Sequence, residues 1–143
     1  MTRRTVVVYV AGPIRAPGVE PGTQDMWQVQ QNVMRAMQVA RDVWALGETA
    51  AVCPHGNTIY FQGTLPDDTW LVGDLELLRR ADAVIMVEGW EQSQGALAEH
   101  QEALDRFIPI FYTLSSLAAW VARRRRPVAT PGEVMGNGNA DRC

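Results

Sequence analysis

Four short apolar runs alternate along the chain with longer stretches of helical spacing. Thr5 to Ala11 is a continuous β-branched run, the pattern of a strand buried on both faces. Thr49 to Cys53, Ala83 to Val87 and Ile108 to Tyr112 predict three further strands. Between them, 24–46 carries Met26, Val29, Val33, Met37, Ala40 and Trp44 at helical spacing, and Gly47 stops the helix. That Met and Trp stripe is expected to face the core. A second helix over 67–81 presents Leu71, Leu75 and Leu78 on one face, and a third over 95–106 turns Leu97 and Leu104 inward. A fourth spans 114–123. The segments 12–22, 54–66 and 88–94 read as loops, rich in glycine, proline or polar residues.

Strands alternating with helices predict an α/β fold, a small doubly wound parallel sheet of Rossmann or flavodoxin type with four to five strands and helices on both faces. Residues 1–122 form the expected domain, and 123–143, Arg-rich and then rich in Gly, Pro and Asn, an expected flexible tail. Such sheets bind ligands beyond the carboxyl ends of their strands, where strand order reverses. The loops after the first and third strands are therefore the prime candidates.

Composition narrows the chemistry. Residues 1–122 hold 8 Arg against 14 acids, whereas 123–143 hold 5 Arg against 2. An acidic domain argues against a nucleic-acid polymer as partner. The chain has no lysine, which excludes a Schiff-base lysine and the P-loop lysine. Cys53 and Cys143 do not have zinc-ligand spacing, so no metal is expected. With no long apolar run and no signal-like start, the expected location is cytoplasmic, away from any membrane.

Three pieces can carry chemistry. In Ser93-Gln94-Gly95-Ala96-Leu97-Ala98-Glu99, a loop opens a helix on which Glu99 shares a face with small residues, leaving room for a ligand beside a carboxylate. Asp74 either caps a helix or supplies the second carboxylate of an acid/base pair, the minimal equipment for cleaving a bond at an anomeric carbon. Gly12-Pro13-Ile14-Arg15 follows a buried strand and offers turn N–H groups and a guanidinium to an anion.

In order and spacing, these pieces resemble the nucleoside 2-deoxyribosyltransferase superfamily over roughly residues 5–112. The matching stretches are Val8-Tyr9-Val10-Ala11-Gly12-Pro13-Ile14-Arg15, Gly73-Asp74 through Ala81-Asp82-Ala83-Val84, and Ser93 through Glu99. The wording Gly-Trp-Glu-x-Ser-x-Gly-Ala is similar to phage-associated relatives. Ser93, six positions before Glu99, and the Gly-x-Ile-Arg loop are nearest the 2'-deoxynucleoside 5'-phosphate N-hydrolases. That branch has serine where this chain has Pro13, which lacks the hydroxyl and the N–H.

The resemblance implies hydrolysis of the N-glycosidic bond of a (deoxy)nucleoside 5'-monophosphate. Glu99 would be the nucleophile and Asp74 the acid, with Gly12, Ile14, Arg15, Ser93 and Gly95 around the phosphate. Tyr9, His55, Asn57, Phe61 and Trp70 would surround base and sugar. It also implies no metal or organic cofactor and a homodimer or larger homo-oligomer. Base exchange by a transferase and a non-catalytic nucleotide-binding module are the alternatives.

Overall fold

A computed structural model of the chain describes residues 4–15 and 25–125. Most of the expected tail and part of the 12–22 loop lie outside this range. Strand β1 (Val6–Ala11) leads to helix α1 (Met26–Ala45) and strand β2 (Thr49–Val52). A short helix α2 (Pro54–Thr58) and a 3-10 turn (Ile59–Phe61) precede α3 (Asp67–Arg79). Strand β3 (Ala83–Met86), a 3-10 turn (Trp90–Gln92) and α4 (Gln94–Asp105) follow, and β4 (Ile110–Phe111) and α5 (Leu114–Arg125) complete the order.

All strand pairs are parallel, in the order β2-β1-β3-β4. The α/β class and four-stranded doubly wound sheet are thus as expected. The alternation of β1 side chains explains why both faces must be covered. Val6, Val8 and Val10 pack with Ala36, Ala40 and Val43 of α1 and Leu117 and Val121 of α5. On the opposite face, Tyr9 and Ala11 join Leu78 of α3 and Ala103 of α4. Three layers result, with β1 at the centre.

The expected loop 54–66 is partly helical: Pro54 occupies the first turn of α2, where its missing N–H costs nothing. Helix α5 runs past the expected end at 123 to Arg125.

Two expected core stripes are corrected. On α1, Met26, Met37 and Trp44 are exposed, and the inward face is Val29, Asn32, Val33, Ala36, Ala40 and Val43. On α4, Leu97 and Leu104 are exposed, and Ala96, Glu99 and Ala103 face inward. In both helices the smaller residues permit a close approach to the sheet, which turns the bulky ones outward.

Chain direction from β1 to its two neighbours splits at the carboxyl end of β1, where the loops after β1 and β3 converge. Val87 N–H donates to Ala11 O at 2.7 Å, and a Cβ on Gly12 would lie 2.7 Å from Val87 Cβ. Only glycine fits this junction. Gly12→Ala is expected to destabilise the fold by about 1–3 kcal/mol in urea unfolding. Gly56→Ala, at a helical position with nothing within 4 Å of the added methyl, should be neutral or slightly stabilising. Equal effects would contradict this packing.

Candidate active site

Beyond the carboxyl ends of β1 and β3 lies a cleft of about 570 Å³. It is lined by the loop after β1, by α2, by the first half of α3 and by the start of α4. Gly12, Ile14, Arg15, His55, Trp70, Asp74, Ser93, Gly95 and Glu99, all candidates from the sequence, line it. Three other candidates do not line it. Asn57 and Phe61 are exposed and do not line the cleft, although Phe61 stacks on Trp70 with ring centroids 6.4 Å apart. Tyr9 is wholly buried behind the cleft wall. Asp74 lies within α3, so it is not a helix cap.

Glu99 is 7% exposed, and its Oε1 accepts a 2.8 Å hydrogen bond from the Tyr9 hydroxyl. Its Oε2 is buried with no partner among the described residues. Burial pushes the Glu99 carboxyl up to about 8; the Tyr9 bond opposes that rise, and the nearby Asp74 charge adds to it. Burial likewise raises Asp74 to about 6. Tyr9 is held far above the usual phenol range, mainly by burial and then by the Glu99 charge, so it stays a donor. The two carboxyl groups interact, one fixed by a strand residue and the other carried on the facing helix.

His55 is buried, and its ring lies 3.0 Å through Nε2 from Pro13 O, tying α2 to the loop after β1. Burial lowers its pKa, so the ring is neutral at pH 7 and donates through Nε2. Asn32 of α1 braces the same loop by donating to Ile14 O at 3.0 Å. At the other wall, the Ser93 hydroxyl oxygen accepts from Ala96 N–H at 3.3 Å as the N-cap of α4. Its proton is left to donate, beside a helix N-terminus that favours anions. Arg15 forms an ion pair with Asp67.

Asp67 and Asp68 also line the cleft, and the sequence reading missed them. Both sit in the first turn of α3, where a carboxylate complements the helix dipole without any ligand, so the sequence carries no signal that sets them apart. Among the described residues no group of three or more His, Cys, Asp or Glu could hold a metal ion. Among them, too, no helix is long and apolar enough to cross a membrane.

Residues 6–112 match the family described as a domain of unknown function, DUF4406. The chain belongs to that family, whose extent takes in every element of the cleft. No curated protein and no solved structure matches the chain.

The Glu99 pKa fixes the sign of a pH effect on stability. Unfolded, this carboxyl loses its proton near 4.5, whereas folded it keeps it to about 8. The folded state therefore holds the extra proton, and stability falls as pH rises through that window. Asp74 acts in the same direction at lower pH. Wild type is expected to lose about 2 kcal/mol between roughly pH 6.5 and 8.5, and Glu99→Gln to flatten most of that slope. Denaturant unfolding at several pH values reads this directly, and an unchanged slope in the variant would reject the assignment.

Proposed function

We propose that the cleft cleaves the N-glycosidic bond of a (deoxy)nucleoside 5'-monophosphate, releasing free base and sugar phosphate. The observation that carries this reading is Glu99, a buried carboxyl with one oxygen fixed by Tyr9 and the other unpartnered, in a cleft it shares with Asp74. A carboxylate so held suits attack on an electrophilic carbon, and a second carboxyl nearby suits proton transfer to a leaving group. The resemblance to the nucleoside 2-deoxyribosyltransferase superfamily, and to its 5'-monophosphate N-hydrolases in particular, supports the same roles.

In this mechanism Glu99 attacks the anomeric carbon while the electrons of the C–N bond pass to the base. Asp74 gives the base its proton. Water then attacks the glycosyl ester, losing a proton to Asp74, and Glu99 departs as carboxylate. Before substrate binds, the single proton of the pair rests on Glu99, the group with the higher pKa. Attack needs it on Asp74, and positive charge developing at the anomeric carbon draws the ionised form to Glu99. Ser93, Gly95 and the α4 N-terminus offer the phosphate their donors, with Gly12, Ile14 and Arg15 opposite. His55 and Trp70 wall the base and sugar. Tyr9 acts through Glu99 as a positioning residue.

One observation favours the transferase reading. Arg15 is already paired with Asp67, and Asp68 lies beside it, so this wall also suits the free hydroxyl of an unphosphorylated nucleoside.

Base release, followed chromatographically over nucleosides and 5'-monophosphates with and without a second free base, separates these readings. Hydrolysis of a monophosphate, reduced at least about a thousandfold in Glu99→Gln and about a hundredfold in Asp74→Asn, is expected. The rate should peak between about pH 6 and about pH 8, where the pair holds one proton. Exchange of base on nucleosides would point to the transferase. Binding without turnover across the panel would leave a nucleotide-binding module.

A further inference from the structure

Helix α1 carries a second apolar stripe on the side away from the sheet. Trp27 is 71% exposed, Met34 64%, Trp44 57%, Met26 51% and Met37 44%. These five side chains leave on the order of 600 Å² of largely apolar surface open, judged from the ~150–250 Å² each aromatic can bury. The largest apolar patch on a typical monomer is about 300–600 Å² and is often functional, so this stripe stands at the top of that range. A standard interface buries about 800 Å² per partner, so this stripe alone supplies most of one.

The order of residues along the stripe identifies the partner. Trp27 and Trp44 lie equally far on either side of the midpoint between Arg35 and Ala36. The same midpoint separates Met34 from Met37, and Gln30 from Arg41. An antiparallel copy of α1, related by a two-fold axis through that point, would set each Trp27 against Trp44 of the other copy. It would set each Met34 against Met37 and the exposed Met26 against the small Ala45. A two-fold interface must be self-complementary in this way. The charge pattern agrees: Arg41 is the one charged residue within the stripe, and it is paired with its neighbour Asp42 at 3.3 Å.

We infer that this face of α1 is the interface of a homodimer, two copies packing antiparallel about the Arg35–Ala36 midpoint. The inference is independent of the reaction proposed above, because it uses no residue that lines the cleft. It also gives the bulky α1 residues a role that packing against the sheet does not.

Sedimentation of the full chain at about 10 µM, with circular dichroism as a check on folding, tests it. Wild type is expected to be a dimer. Met34→Glu and Met37→Arg, both changes at exposed positions, should each be folded and monomeric, with dimerisation weakened at least tenfold. An equimolar mixture of the two should regain a dimer, since the glutamate of one chain then faces the arginine of the other. Trp27→Arg, at the end of the stripe, provides a second disrupting variant.

A monomeric wild type would overturn the proposal and leave the stripe to another protein or to the chain's own Arg-rich end. Variants that dimerise like wild type would place any interface elsewhere. Variants that are monomeric alone and stay so when mixed would overturn the antiparallel register.

Discussion

A carboxyl group buried in a protein needs hydrogen bonds to replace lost water, and Glu99 has one, from Tyr9. That bond spans the sheet-to-helix interface, joining the central strand to the helix that ends at the neighbouring crossover. It requires α4 to sit close to β1 and β3, and Ala96 and Ala103 on its inward face make that approach possible. The unpartnered oxygen and the burial that raises the Glu99 pKa depend on this spacing, and Asp74 reaches the same cleft from α3. A larger residue at either alanine would move the carboxyl away from the tyrosine that orients it.

The constraint on the loop after β1 is different in kind. Gly12 permits the backbone to touch Val87, while His55 and Asn32 each hold a carbonyl of that loop from outside. Three elements distant in sequence thus fix a short segment whose own residues have little to bury. Proline at position 13 suits this role, because its carbonyl is used and its missing N–H is not called on by any described partner. The rigidity of that wall contrasts with the ion pair between Arg15 and Asp67, both well exposed, which an entering anion can readily replace.

The alternation of strands and helices was legible in the sequence because β1, β3 and the leucine-bearing helices follow simple periods. Glu99, Asp74 and Ser93 were legible because their spacing survives in one dimension and resembles a known arrangement. The direction of the α1 and α4 faces was not. Both helices carry apolar residues on more than one side, and hydrophobicity alone does not distinguish small residues that pack closely from large ones that face outward. Asp67 and Asp68 entered the cleft unannounced, since their position depends on how the chain between α2 and α3 turns. Tyr9 lies behind the pocket that the resemblance assigns it to, because it sits two residues before the end of β1 while the pocket begins at Gly12.

The shortest strand has a consequence for how the molecule breathes. β4 pairs through only Val84–Ile110 and Ile85–Phe111, whereas β1 pairs through Val6 to Tyr9 with β2 and through Val8 to Ala11 with β3. Backbone groups at a two-residue edge are released by small local openings, while those of a central strand exchange only when the whole core separates. Trp90 stacks on His100, and Tyr112, just after β4, is tilted against both rings, which links that edge to α4. The carboxylates of the cleft hang instead from β1 and the helices packed on it. Protection against amide exchange is therefore steepest where the cleft is anchored and shallowest at the β4 margin, so the margin can fray while the cleft stays assembled.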